Sequence, residues 1–186
     1  MTVNTRARIL RAARELAEEN VSVHGVTISL ESVSQRVGLT KPGLMYHFPT
    51  KEALMLGLVD HAAAHWDELL REHTGSGPEN LSPFTRYRAY VAVATSADVS
   101  RADYWIFSDA LYHPTLAQAW RHHLEPWYDV GSLPLSTRSL LTTARFCGDG
   151  AWMSEATGAF RADDLSAVRD HALRLVDEAE HQEVPT

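Results

Sequence analysis

Three features of the 186-residue sequence predict an all-α chain. Apolar residues recur three and four apart through most of it, the period of a helix with one buried face. Capping residues, Gly38, the Thr74–Pro78 breakers and Pro114 punctuate these stripes, as helix boundaries require. No stretch alternates Val, Ile or Thr between hairpin turns, so no sheet is expected. The predicted architecture is an N-terminal three-helix unit containing a helix-turn-helix over residues 1–50. A long fourth helix then leads into a helical bundle over 51–186.

The first helix is capped by Asn4 or Thr5 and runs to about Asn20, with Ile9, Leu10, Ala13, Leu16 and Ala17 on one face. Arg6 and Arg8 either reach phosphates or form a solvated face. Val21 to Val26 reads as a loop carrying Gly25, and Thr27 is a further candidate phosphate donor. Ser29 caps a short second helix with Leu30, Val33 and Val37 at helical spacing. Gly38 can take the left-handed conformation that ends it, and Leu39 can plug the corner. Thr40 then caps a third helix, whose first turn tolerates Pro42 because an N–H there would lack a helical partner anyway. Leu44 and Phe48, four apart, share its inward face and leave Lys41, Gly43, Met45, Tyr46 and His47 to point elsewhere. Two short helices joined at a glycine describe a helix-turn-helix, whose second helix enters the DNA major groove. Lys51 at the start of the next helix sits where the helix dipole disfavours a cation, and a bound phosphate would remove that conflict.

The stretch ISLESVSQRVGLTKPGLMYHFPTKEALM resembles the DNA-binding domain of TetR/AcrR-type transcriptional regulators. The likeness rests on the capped short helix, Gly38, the Lys41–Phe48 run ending Tyr46-His47-Phe48, and Lys51-Glu52-Ala53-Leu54 opening the fourth helix. It covers roughly residues 5 to 60 closely and the remainder only in architecture. Ser34 departs from the small apolar residue usual there; its hydroxyl can bond back to a helix carbonyl without breaking the fold. The resemblance implies DNA contact by Thr40, Lys41, Gly43, Met45, Tyr46, His47 and Lys51. Lys51 and Tyr46 would serve phosphates; Lys41, Gly43 and Met45 would serve bases. It also implies a homodimer on a palindromic double-stranded operator, most commonly as a repressor, although activation fits equally.

The fourth helix runs from Lys51 to about His73 with Leu54, Leu58, Ala62, Trp66 and Leu69 or Leu70 as its stripe. At about 1.5 Å per residue it spans on the order of 30 Å, and in TetR-like proteins this element relays ligand occupancy. His61 and His65 have metal-ligand spacing but no third ligand nearby, so no metal is assigned. Thr74 to Pro78 reads as a linker. Helices follow over Pro83 to about Val99, Ala102 to about Tyr112 and Pro114 to about Leu124, with a loop over Gly131 to Ser136. The last two, Thr137 to Ala159 and Asp164 to Glu180, form the paired hairpin through which TetR-like proteins dimerise. Ten aromatic residues crowd the middle of the chain, the composition of an apolar pocket between helices. Trp66, Trp105, Asp109 and Trp152 are its candidate lining, for a small apolar or aromatic effector whose binding releases DNA.

Composition sets the remaining bounds. An apolar content of 45% sustains a buried core. No apolar run approaches a membrane span, and the N-terminus does not read as a signal peptide. The single Cys147 cannot pair internally, which fits the cytoplasm. The net charge of −7 divides unevenly. Residues 1–55 hold seven bases (Arg6, Arg8, Arg11, Arg14, Arg36, Lys41, Lys51) and five acids (Glu15, Glu18, Glu19, Glu31, Glu52), a balance of +2; the rest carries −9. A basic end on an acidic body orients the molecule towards DNA. No nucleophile motif, phosphate loop or metal-ligand set appears, so no enzyme and no cofactor are assigned. The alternative is a helical small-molecule binder or a small all-α enzyme whose helix-turn-helix leaves DNA alone.

Overall fold

The computed structural model describes residues 4–19, 28–96 and 100–183. The loop over 21–26, Thr27, Val99 and the end of the C-terminal tail lie outside them. Capping chemistry sets the helix starts. Helix α1 spans Thr5–Glu19, and Asn4 Oδ1 accepts the Arg6 N–H at 3.1 Å. Helix α2 (Leu30–Val37) opens on a capping box: Ser29 Oγ accepts the Ser32 N–H and Ser32 Oγ accepts the Ser29 N–H, each at 3.0 Å. It closes on Gly38 in the left-handed region, φ 75°, ψ 31°. Ser34 donates back to the Glu31 carbonyl at 2.8 Å, the local bond expected of a hydroxyl at this position. Helix α3 is Lys41–His47, with Thr40 Oγ1 accepting the Gly43 N–H at 3.1 Å. Thr50 Oγ1 caps α4, Lys51–Thr74, by accepting the Ala53 N–H at 3.0 Å.

Helices α5 (Pro83–Ala94), α6 (Arg101–Ala110), α7 (Pro114–Tyr128), α8 (Leu135–Thr157) and α9 (Leu165–His181) follow. Four boundaries depart from expectation. Helix α5 stops at Ala94, short of Val99, because Ser96 N–H turns back to the Val93 carbonyl at 3.0 Å and the Thr95 hydroxyl takes that of Val91 at 2.7 Å. Helix α7 continues through Pro126 to Tyr128 rather than ending near Leu124. Proline removes one N–H from the ladder. Burial offsets that loss: Trp127 is fully buried and donates Nε1–H to Asp67 Oδ1 at 2.7 Å. Helix α8 begins at Leu135, inside the loop expected to reach Ser136. Thr74–Pro78 is an ordered corner, not a loose linker. There Gly75 adopts φ 68°, the Thr74 hydroxyl bonds to the Leu70 and Ser76 carbonyls, and Pro78 is buried.

The chain forms two compact units interleaved in sequence. One comprises residues 1–65 with 100–123, the other 66–99 with 124–186. In the first, Ile9, Ala13, Val33, Leu44, Phe48, Leu54 and Leu58 are fully buried. Gly57 lies where an added Cβ would stand 2.8 Å from a ring carbon of Phe48 and 3.2 Å from Leu10 Cδ2. Gly57→Ala therefore sets a helix-propensity gain of about 1 kcal/mol against overpacking of about 1–3 kcal/mol. We expect a net loss, read as a lower urea midpoint at unchanged slope. The second unit is centred on α5, α8 and α9, with Phe84, Tyr87, Val91, Leu141, Ala144, Ala172, Val176 and Ala179 in its core. Among the described residues no helix is long and apolar enough to cross a membrane.

Candidate nucleic-acid interface

Helix α3 is anchored from beneath. Leu44 and Phe48 are fully buried, which fixes the rotation of the helix. The Arg6 guanidinium lies 4.3 Å over the Phe48 ring and donates to the His47 carbonyl at 3.2 Å. Arg8 donates to the Val37 carbonyl at 3.4 Å. Both arginines thus meet the C-terminal ends of α3 and α2, where the helix dipole favours a cation, a role that neither sequence expectation for them contained. Arg36 forms a fork with Glu19 of α1, with Nη1 to Oε1 at 2.9 Å, and this bond holds the Glu19 carboxyl below its ordinary range.

The opposite face of α3 is open. Tyr46 is 86% exposed and Met45 39%, and Lys41 is exposed beside them. His47 is half-buried, its ring edge-on to Tyr46 at 5.2 Å. At Gly43 a Cβ would stand 3.1 Å from the capping Thr40 oxygen, so glycine keeps the first turn tight. Lys41 Nζ lies 3.9 Å from Glu31, with both side chains more than half exposed. A pair of that kind is worth under about 1 kcal/mol and yields readily to a phosphate or a base edge. Lys51 is exposed at the first residue of α4. Chemically the surface offers two cations, a phenol, an imidazole and a flexible thioether, on α3 and at the first residue of α4.

The four residues expected to line a pocket fall in different units. Trp66 and Trp152 belong to the second, packed edge to face at 4.7 Å and buried. Trp105 and Asp109 belong to the first, both on the exposed side of α6. Beside Trp66, which stacks on Tyr90 at 5.7 Å, lies a polar cluster the sequence reading passed over. The Tyr90 hydroxyl donates to Asp149 Oδ1, Arg145 Nη1 reaches Asp149 Oδ2 at 2.9 Å, and the Tyr90 and Tyr128 rings meet at 5.1 Å. One signal could have revealed it: Asp149 interrupts the apolar stripe of α8, between Gly148 and Gly150. Desolvation raises the Asp149 carboxyl above its ordinary 3.8 despite Tyr90 and Arg145, and raises both phenols. A carboxyl whose folded pKa is raised stabilises most when protonated. Stability should therefore decline as pH climbs from about 4 through the folded value, and urea midpoints for Asp149→Asn should lack that component.

With this geometry in hand, comparison with known proteins is informative. The family model for bacterial regulatory proteins of the tetR family matches residues 9–58. The model for the tetracyclin repressor-like C-terminal domain matches 85–177. No curated protein sequence matches the chain. Among solved structures, the multidrug binding protein EbrR complexed with imidazole is 18% identical, with a TM-score of 0.66 over 99% of this chain and 98% of that one. A member of the TetR family from Streptomyces coelicolor A3 is 18% identical, with a TM-score of 0.65 over 93% and 98%. A TetR-like transcriptional regulator from Rhodococcus sp. RHA1 is 16% identical, with a TM-score of 0.63 over 98% and 100%. At these identities the likeness concerns the fold.

Proposed function

Because this chain belongs to the TetR family of bacterial transcriptional regulators, we propose that it binds a roughly palindromic DNA operator as a homodimer and represses until a small molecule releases it. The observation that carries the reading is the two-sided build of α3. Leu44 and Phe48 are locked in the core while Lys41, Met45 and Tyr46 face solvent. Thr40, Gly43, His47 and Lys51 complete the DNA-contacting set, with Lys51 and Tyr46 on phosphates and Lys41, Gly43 and Met45 at base edges. In functional terms residues 1–50 serve DNA, and 51–186 serve effector binding and dimerisation. The protein acts by binding, in the cytoplasm where its operator lies, and not as an enzyme.

Dimerisation through α8 and α9 is supported by Phe146 and Met153, which are 58% and 49% exposed seven residues apart on α8. Nothing lies within 4 Å of a Cβ built at Gly150 between them, so another helix can approach closely. Sedimentation should give about twice the 20.7 kDa chain mass; a monomer at micromolar concentration would remove this interface. An effector of small aromatic character is supported by Trp66 and Trp152, and by the solution of EbrR with imidazole and with malachite green. Helix α4 carries residues of both compact units, so a ligand that displaces it would move Lys51. Such a ligand must prefer one state of the pair.

The test is selection of bound duplexes from random DNA, then affinity against salt. An inverted repeat with a steep salt slope is expected. Lys51→Ala should weaken all sequences alike and reduce the slope by about two per dimer, at ~0.9 per lost phosphate contact. Lys41→Ala should also relax base preference. An unchanged slope in Lys51→Ala would contradict its phosphate role.

A further inference from the structure

The first compact unit contains a cleft of which the proposed function uses only Lys51, at the rim. Its floor is apolar, made by the buried Ala17, Ile28, Met55 and Ile106. One wall is Trp105, 37% exposed although it is the largest apolar side chain of α6. Lys51 and Asp109 stand at the rim, both exposed. The space between these side chains is about 420 Å³ only when the open solvent at its mouth is included, so the cleft suits a molecule of one ring rather than a large drug. A flat ring can lie on Trp105 over the Met55 and Ile106 side chains. The two rim charges are of opposite sign, so neither a plain hydrocarbon nor a simple anion satisfies both. A ring with a carboxylate at one end and an amine at the other can bond Lys51 and Asp109 together, each through a charge-assisted hydrogen bond.

We propose that this cleft binds a single-ring aromatic aminocarboxylate, with its carboxylate on Lys51, its amine on Asp109 and its ring on Trp105. The consequence rests on the DNA-binding reading of Lys51. The ligand occupies the ammonium that would otherwise meet a phosphate, so control here is direct competition at the DNA face, separate from any effector taken between the helices of the second unit. Two phosphate contacts fewer per dimer correspond to a DNA affinity about tenfold lower at saturation, on the scale of salt-dependent contacts.

The probe is 4-aminobenzoate, titrated calorimetrically into the full-length protein without DNA, with benzoate and aniline as one-ended controls. The expected result is one molecule per chain, bound at least tenfold more tightly than either control. Trp105→Ala and Asp109→Asn should each weaken binding tenfold or more; matching thermal melts establish that both remain folded. No binding, equal binding of benzoate, or undiminished binding by both variants overturns the cleft. The DNA arm is read separately by anisotropy of a labelled duplex. If the probe binds with this variant signature and no duplex is ever bound, the DNA reading fails while the cleft stands. If duplex binding is sound and saturating probe leaves it unchanged, the assignment of the carboxylate to Lys51 is overturned.

Discussion

Replacing Arg14 with methionine is expected to lower the unfolding free energy by about 3–5 kcal/mol, the range found when one partner of a buried ion pair is removed. Arg14 Nε and Nη2 meet Asp103 Oδ1 and Oδ2 at 2.7 and 3.1 Å, a two-pronged bond between α1 and α6. The Asp103 side chain is completely buried and that of Arg14 is 29% exposed. The pair also raises the Arg14 pKa above its ordinary value, its hydrogen bond to Asp103 being the largest cause. Without the guanidinium, a carboxylate is left in the core with no cation. Neutralising both ends should restore most of the loss, so Arg14→Met with Asp103→Leu is expected to lie well above Arg14→Met alone. Urea unfolding of the two singles and the double gives the coupling directly. A loss below about 1 kcal/mol in Arg14→Met would mean that water replaces the guanidinium and that the bond is not buried in effect.

Trp66→Ala should remove about 3–5 kcal/mol, as for other fully buried aromatic side chains cut to alanine. No part of Trp66 is exposed, and its ring is shared between Tyr90 and Trp152. A cycle with Trp152→Leu should show coupling of about 0.5–1.5 kcal/mol beyond the loss of area, the worth of an edge-to-face pair. Near-additivity would show that the two rings merely neighbour one another. Asp149 gives this experiment a second reading: if the Trp66 cavity admits water, the desolvation that raises the Asp149 carboxyl is relieved, and the pH dependence of stability flattens in Trp66→Ala as well.

What could be read before the structure was known was local in sequence. Ser29, Gly38, Thr40 and Pro42 act within four residues of themselves, and each sits where its own backbone chemistry puts it. Leu44 and Phe48, and the α4 stripe from Leu54 to Trp66, follow from helical period alone; the period left Leu69 or Leu70 open, and the structure buries Leu70 and leaves Leu69 half-buried. What escaped was contact between distant residues. Arg14 and Asp103 are 89 positions apart, and nothing near either marks the other as a partner. Arg6 and Arg8 read as phosphate ligands or solvated charges because helix ends on other elements cannot be seen from α1. Pro126 read as a stop because the burial of Trp127 beside Asp67 is a tertiary fact. Aromatic density likewise named Trp66, Trp105 and Trp152 together, although the fold distributes them between two units.

The interleaving of those units bears on how the chain is made. Residues 1–65 emerge from the ribosome long before 100–123, yet Glu18 accepts the Ala102 N–H at 2.9 Å and Arg14 closes on Asp103. The nascent amino-terminal segment can form α1 to α3 from nearby contacts, but Glu18 waits for 84 further residues before Ala102 reaches it. At about 5–20 residues per second that wait is on the order of 4–16 s, during which Ala17 on α1 and Met55 on α4 lack the cover of Ile106. Synthesis halted between residues 66 and 99 should therefore expose a species that binds chaperones and proteases, and release past residue 123 should end that exposure.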